Sequence, residues 1–205
     1  QKLRHSVMEL HDIQGSLDNL KSQVILDELE LFEIKKLSYL CRNARTASGI
    51  MGIDDVLLIP DLEEVFALLD PDKTNIAHFY IYDSYDSALP AIRRELRVLR
   101  QTDLEEHQQR IGELTAMQNE IQAKVTAQLS DRLRAYLESL AEGLNRMAQA
   151  DILLAKALLS ISWNLTRPTV TSHSLTLESL FNPRLKELNH NTGTRYQDID
   201  IDLTE

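Results

Sequence analysis

The amino-acid sequence predicts a protein of the all-α class. A helical core carries a long antiparallel helical hairpin, and the exception to the helical class is a few short strands at the C-terminal end. Aromatic residues make up only 5% of the chain, and 205 residues include 6 glycines and 5 prolines. That composition favours helix over sheet. No proline occurs from Ala91 to Arg167. Apolar residues recur along that stretch at three- and four-residue steps, which is the spacing of a helix that buries one face.

The first part of the chain has the periodicity of helices. Residues 1–46 carry apolar side chains near the 3.6-residue period, with charged residues between them. We expect Gly49 and Gly52 to break this helical stretch. A second, short helix is predicted from Asp61 to Leu69, because Pro60 precedes it and acidic residues occupy its first turn.

The run Phe79–Tyr82 is rich in β-prone residues and predicts a strand in the first half of the chain. Asp86 or Ser87 is then expected to cap the next helix, whose first turn tolerates Pro90.

The long proline-free stretch, interrupted only by Gly112 and Gly143, predicts the hairpin. A single straight helix over residues 91–167 could not bury its apolar stripe in a chain of this size, so we expect the stretch to fold back on itself. The reversal is predicted between Gly112 and Ser130, where polar residues thin the stripe and Ser130 could cap a new helix. The returning helix is expected to end near Arg167 and Pro168, because the residue before a proline disfavours helix.

The residues after Pro168 change in character. Thr169–Thr171 and Ser174–Leu177 are β-prone, and from Tyr196 to Leu203 apolar residues alternate with aspartates. The alternation is typical of a half-buried strand with an acidic face in water. Because these strands cannot complete a sheet by themselves, we expect them to begin a β-rich segment of a domain beyond Glu205.

No pattern for catalysis or metal binding occurs in the chain. It has no glycine-rich phosphate loop, no H-E-x-x-H, no cysteine cluster and no nucleophile elbow. Its single cysteine excludes an internal disulfide and fits a reducing cytoplasm. No apolar run approaches the roughly 18 residues that cross a bilayer. We therefore expect a cytoplasmic chain that is not an enzyme, binds no cofactor or metal itself and does not enter a membrane.

The charge distribution limits contact with nucleic acid. The net charge of −10 argues against an open nucleic-acid surface. Residues 1–87 carry 8 Lys and Arg against 16 Asp and Glu, whereas residues 88–150 carry 9 of each. If any region approaches DNA, the hairpin is therefore the least repelled.

The candidate DNA-facing residues are arginines of that neutral region, namely Arg110, Arg132 and Arg134. We expect at most weak, salt-sensitive DNA binding, most of which is lost when Arg132 and Arg134 are replaced by Glu. A second series of arginines lies on one broad face of the outgoing helix: Arg93, Arg94, Arg97 and Arg100. It is interpreted as a solvated stripe paired with acids, or alternatively as an edge that faces phosphates.

Several motifs, taken in order, resemble the MutS family of DNA mismatch-repair proteins. The pattern Asp151-x-x-x-Ala155-x-Ala157, followed by Arg167 and Pro168, is similar to the end of the family's lever helix, which leads into the ATPase domain. Upstream, the segment 83–96 resembles the point where the family's core gives way to its ascending lever helix.

The resemblance also has departures. Residues 181–185, Phe-Asn-Pro-Arg-Leu, stand where the family usually has an Arg-His-Pro-Leu element, and the Arg-His is absent. The β-rich clamp that grips DNA in the family has no counterpart between Leu99 and Leu133. The chain therefore resembles a divergent branch that lacks the clamp.

The resemblance implies an organisation and a function. Residues 1–87 are expected to form the helical core, 88–166 the lever helices of the same domain, and 167–205 the start of the segment leading into an ATPase domain. The expected structural junction consists of Asp151, Ala155, Arg167 and Pro168. The chain is then a non-catalytic module that couples nucleotide state to DNA engagement. ATP, magnesium, DNA and homodimerisation are expected of the parent protein that includes the ATPase domain.

A function of another class also fits the apolar stripe. A coiled-coil scaffold that binds proteins and has no nucleic-acid role would have the same periodicity. The two hypotheses differ in the residues expected after Glu205, because only a MutS-like parent requires a G-x-x-x-x-G-K-[ST] phosphate loop there.

We expect residues 1–205 to bind no ATP, because the backbone amides and lysine of a phosphate loop are absent. Isothermal titration calorimetry with magnesium and ATP measures this directly. Specific binding at millimolar ATP or below would contradict the assignment of the chain as a non-catalytic module.

Overall fold

The computed structural model describes residues 2–102, 107–172 and 174–204, and it confirms a mainly helical protein with 68% helix. The helices are α1 (Lys2–Met8), α2 (Gln14–Lys21), α3 (Glu28–Met51), α4 (Asp54–Leu57), α5 (Glu63–Leu69), α6 (Leu89–Thr102), α7 (Gln108–Leu133), α8 (Leu137–Trp163) and α9 (Pro183–Thr192). The strands are β1 (Ser174–Leu180) and β2 (Ile199–Thr204). The chain divides into two compact units, Gln1–Leu159 and Ser160–Glu205, which we describe separately.

The core of the first unit is built around α3. This helix begins with a capping box, in which the Asp27 carboxylate accepts the Glu30 backbone N–H and the Glu30 carboxylate accepts that of Asp27. It ends at Gly52, whose φ of 65° is the left-handed conformation that glycine adopts without strain. The prediction that Gly52 ends the helix is confirmed. Gly49, in contrast, lies inside the last turn and breaks nothing.

Two predictions for the loop and helix before the hairpin have opposite outcomes. The short helix is confirmed as α5, with the Asp61 side chain accepting the backbone N–H of Glu63 at its start. The predicted strand Phe79–Tyr82 is wrong, because no other segment of the described residues forms strand hydrogen bonds with it. Its apolar side chains serve instead as core anchors, and Tyr82 is fully buried.

The antiparallel hairpin consists of α6 and the first half of α7. Ile92 and Leu96 of α6 form a small apolar cluster with Leu114 of α7. Across the same pair of helices, the Arg110 Nε donates to Glu95 Oε1 at 2.8 Å. These contacts join later residues of α6 to earlier residues of α7, as in antiparallel helices.

The predicted position of the reversal, between Gly112 and Ser130, is wrong. Residues 108–133 form one uninterrupted helix, so the chain reverses before Gln108. The apolar series continues through Ile111, Leu114, Ile121, Val125 and Leu129, and the polar residues that thin it, among them the half-buried Gln118 and Gln122, do not interrupt the helix.

The predicted helix cap at Ser130 is also wrong, because this residue lies inside α7. Its hydroxyl donates to the Thr126 carbonyl at 2.8 Å and accepts the backbone N–H of Leu26 at 2.9 Å. Because Ser130 and the Leu26 amide are both buried, this bond satisfies a donor that would otherwise be costly. It ties α7 to the loop before α3.

Helices α7 and α8 are joined by the 3₁₀ turn Arg134–Tyr136 into one helical run of 56 residues. The middle of this run lies in the core of the first unit, from Val125 to Ala150, and no side chain is buried in α8 after Ala150. Gly143 makes the close approach possible. A Cβ atom there would lie 3.0 Å from Leu62 Cδ1 and 3.4 Å from Cys41 Sγ. Burial also raises the pKa of the Cys41 thiol to about 12, which keeps it protonated.

The second unit contains the end of α8, a two-stranded antiparallel sheet and α9. The helix ends at Trp163, before the predicted Arg167. The reason is a cap with Asn164 at φ 51°, where the Leu165 N–H bonds to the Ser160 carbonyl. Strands β1 and β2 confirm the two predicted C-terminal strand regions, whereas Thr169–Thr171 forms no strand.

The apolar face of β2 is less buried than expected. Ile201 in its middle is partly buried, whereas Ile199 and Leu203 are 58% and 61% exposed. The side opposite is acidic, with the Asp202 carboxylate accepting a hydrogen bond from Thr176 and that of Asp200 accepting the Ser179 N–H. Within the described ranges, no helix has the length and apolar character needed to span a membrane.

We expect Gly143→Leu to lower the free energy of unfolding by about 1–3 kcal/mol, because the new side chain must enter a packed core. The matched substitution Gly112→Leu is expected to raise it by about 0.5–1 kcal/mol, since nothing lies within 4 Å of a Cβ there and leucine is the better helix former. Urea denaturation followed by circular dichroism measures both. Equal effects at the two positions would contradict the close packing of α8.

Candidate functional site

A buried cation organises the segment that leads into the hairpin. The Lys35 ammonium of α3 is fully buried and donates to Asp70 Oδ1 at 2.9 Å, to the His78 carbonyl at 2.8 Å and to the Tyr82 hydroxyl at 2.7 Å. All three of its donors are therefore used. The Phe66 and Tyr82 rings lie 5.4 and 5.0 Å from the same nitrogen and add cation–π attraction.

Asp70 is the acidic partner of this network. Burial alone would raise the pKa of its carboxyl group. Hydrogen bonds from the Thr74 hydroxyl, the Asn75 N–H and the Lys35 ammonium outweigh that effect and lower the pKa to about 2. The carboxylate thus stays charged and holds both ends of the turn after α5.

The network fixes the position of the N-terminal end of α6. Next to the buried Tyr82, the Ile81 carbonyl accepts the Arg93 Nη2 at 2.8 Å, and the Asp83 carboxylate forms an ion pair with Arg93 Nη1. Arg93 therefore locks the first turns of α6 onto the loop. Beside it lies a polar notch of about 380 Å³, lined by Asp72, Tyr80, Asp83, Pro90, Arg93, Arg94 and Arg97.

The other arginines of α6 are different from Arg93. Arg94, Arg97 and Arg100 are exposed, and within residues 2–102, 107–172 and 174–204 they form no ion pair. Helix α6 carries four arginines and one glutamate, and that acid, Glu95, is bound by Arg110. The outer surface of α6 is therefore positive, in a chain whose net charge is −10.

The sequence-predicted DNA-facing arginines do not form one site. Arg110 lies about 33 Å along α7 from Arg132, at about 1.5 Å per residue. Arg110 is paired with Glu95 and Glu113, and Arg134 with Asp131.

Arg134 also has a buried Nε, the one buried side-chain nitrogen or oxygen without a hydrogen-bond partner in the described part of the chain. It lies in the 3₁₀ turn between α7 and α8, where i→i+3 hydrogen bonding tightens the helix.

Arg132 lines an open cleft of about 820 Å³ between α5, the loop after it and α7. The cleft is closed at one side by Tyr136, whose hydroxyl donates to Glu64 at 2.9 Å. Burial raises the pKa of Tyr85, another lining residue, whose hydroxyl donates to the Leu68 carbonyl at 3.0 Å. No nucleophile paired with a base lies in the cleft's lining, which contains only Glu, Asp, Arg, Tyr, Ser and Gln as polar residues.

The predicted junction residues are all exposed. Asp151 and Ala155 lie one turn apart on α8, in the first unit. Arg167 and Pro168 lie in the irregular segment between α8 and β1, in the second unit. The division between the units falls at Leu159 and Ser160, ahead of the predicted junction dipeptide.

The sequence pattern points to the α6 arginines but leaves two interpretations of them open, and it gives no prediction for Lys35. The available signal for Lys35 is its position between Leu31 and Ser38 on the buried side of α3. Among the described residues, no group of three or more His, Cys, Asp or Glu could hold a metal ion.

Comparison with protein-family models, curated proteins and solved structures found no match to this chain.

We expect Lys35→Met to lower the free energy of unfolding by about 3–5 kcal/mol, because it leaves the Asp70 carboxylate buried without its cation. The double variant with Asp70→Asn should lose less than the sum of the two single variants. Arg45→Met, at the exposed pair with Asp61, is the control and should cost under about 1 kcal/mol.

The pH dependence has a defined sign. The pKa of Asp70 is lower in the folded chain than its usual 3.8, so its contribution is complete above that value and is lost as pH falls towards about 2. Denaturation between pH 6 and pH 2 measures the loss, which should be smaller in Asp70→Asn. Additive single variants, or an acid dependence unchanged by Asp70→Asn, would contradict this account.

Proposed function

We propose that the chain is the non-catalytic core-and-lever module of a MutS-like DNA mismatch-repair or DNA-binding ATPase, and that it couples nucleotide state to DNA engagement. One observation carries the proposal. The second arm of the hairpin, the first half of α7, continues without interruption into the part of α7 and α8 that crosses the core, and α8 extends beyond Ala150. A continuous helix seated in a core transmits movement at one end to the other, because packed elements shift as rigid bodies.

The contacts that hold residues 125–150 in the core, here called the seat, support this proposal. The Leu26–Ser130 hydrogen bond fixes the helical run before its 3₁₀ turn, and the close packing at Gly143 fixes it after the turn. From Val125 to the start of α7 at Gln108 the arm extends about 25 Å, at about 1.5 Å per residue. A small rotation at the seat therefore produces a larger displacement at the tip of the hairpin.

The proposed partners follow from this role. DNA is bound through the parent protein, and ATP with magnesium belongs to the parent's ATPase domain, which also forms the homodimer. The chain itself performs no reaction. A cytoplasmic location is part of the proposal, and the single cysteine fits such a reducing compartment.

A scaffold function is the alternative, and exposed apolar side chains on both arms favour it. Val98 of α6 is 56% exposed and Met117 of α7 is 48% exposed. Helical hairpins that bind other helices present such residues along one face.

The lever function is tested by measuring distances in the full-length protein with and without ATP. Spin labels at Gln109→Cys and Asp18→Cys report on the tip of the hairpin against the core, because both positions are exposed and the native Cys41 is buried. Labels at Asp18→Cys and Gln149→Cys are the matched control within the core and seat. We expect ATP to shift the first distance by several ångströms and to leave the second unchanged.

An unchanged tip distance would favour the scaffold. So would a coding sequence without a G-x-x-x-x-G-K-[ST] motif downstream of the codon for Glu205.

A further inference from the structure

We propose that the outer edge of α6, formed by Arg94, Arg97 and Arg100, binds the phosphate backbone of a nucleic acid. The inference deepens the proposed function, on which its biological meaning rests, by naming the surface that meets the DNA. The observation that carries it is the absence of ion pairs at these three exposed arginines, within the described part of the chain. Unpaired guanidinium groups keep their donors available for an external anion.

The spacing of the three arginines suits a polyanion. They follow each other at three-residue steps, so they lie along one side of α6 over about 9 Å, at about 1.5 Å per residue. Phosphates of one DNA strand follow at about 3.4 Å along the duplex axis, so the edge matches about three consecutive phosphates. The planar fork of arginine binds phosphate oxygens in pairs, which a lysine at the same place does not do.

Several acids near this edge in the sequence are engaged by other groups. Glu95 is bound by Arg110 and Asp83 by Arg93, and the Asp86 carboxylate accepts the Ala88 N–H. The acids of residues 103–106 lie outside the described part of the chain. Asp72 also lines the notch at the N-terminal end of α6 and weakens the local potential there. More distant acids act through solvent, where salt screens charges beyond about 8–10 Å. The edge therefore binds a polymer of phosphates with modest affinity, and a single phosphate poorly.

The burial of the opposite side of α6 favours a nucleic acid over an anionic membrane. Ile92 and Leu96 are covered by α7, so the helix has no broad apolar face to insert between lipids. Interfacial helices need such a face next to their cations. Backbone contact to nucleic acid needs only the cations, and it carries little sequence preference.

The test compares two double variants of the 205-residue chain with equal change of charge. Arg94→Gln with Arg97→Gln removes two edge arginines, whereas Arg132→Gln with Arg134→Gln removes the two arginines of the cleft and the 3₁₀ turn. Glutamine is nearly as good a helix former as arginine, and circular dichroism verifies the fold of each variant. Fluorescence anisotropy with a labelled DNA duplex is measured at several salt concentrations from about 50 mM upward.

We expect the edge variant to lose tenfold or more in affinity at the lowest salt and to flatten the salt dependence of log K by about 1.8, the value for two duplex contacts. The Arg132 and Arg134 variant should keep affinity within about threefold, in contrast to the expectation from the sequence alone, because Arg134 is paired with Asp131 and Arg132 lines the cleft. The unaltered chain should bind an unrelated duplex of the same length equally well, and it should not bind phosphatidylserine vesicles.

Three results would overturn the proposal: equal losses in the two variants, a loss confined to the Arg132 and Arg134 variant, or vesicle binding as tight as that of DNA. Equal losses would mean that only net charge matters. Absence of any DNA binding by the unaltered chain would also overturn it, and the lever function would then stand or fall by the distance measurement alone. Conversely, suppose that the edge binds DNA while the distance measurement shows no movement of the hairpin with ATP. That result would refute the lever function and would still support the proposed DNA-binding edge.

Discussion

The buried ion pair between Lys35 and Asp70 is the interaction on which the rest of the first unit depends. Two charges taken out of water are stable only when every donor and acceptor is satisfied. Here the Tyr82 hydroxyl, the His78 carbonyl and the Asn75 amide complete the set. The pair therefore imposes one path on a loop that has no regular secondary structure of its own. The buried side chains of Phe79 and Ile81 also anchor this loop, but apolar contacts are not directional.

The effect of the pair extends to the hairpin through adjacent residues. Tyr82 is followed by Asp83, and Ile81 and Asp83 together hold Arg93 in the first turns of α6. The direction of the outgoing arm is thus set by a chain of polar contacts that starts in the core. The returning arm is set differently, by the burial of α7 and α8 and by the bond from Leu26 to Ser130. A hairpin whose two arms are anchored independently is well suited to move as one body.

The arginines of the hairpin divide by their partners. Arg93 and Arg110 each bind a carboxylate and a neighbouring element, which makes them structural residues. Arg94, Arg97 and Arg100 lack such partners within the described ranges, although they occur in the same short helix. Exposed ion pairs contribute little to stability, so the cost of leaving these three unpaired is small. Their availability to an external polyanion is the property that distinguishes them.

Local pattern determined the helical class, the proline-free hairpin region, α5, the glycine at the end of α3 and the two C-terminal strands, because periodicity and capping residues act within a few positions. Tertiary structure alone decided the rest. The reversal lies outside Gly112–Ser130 because packing against α6 and the core, rather than the polar residues, determines how far α7 continues. Phe79–Tyr82 is not a strand because a strand needs a pairing partner, which no property of the segment itself supplies. For the same reason the arginine pattern could suggest the candidate edge, but only the folded chain decides which arginines meet a carboxylate, since their partners are up to fifteen residues away in sequence.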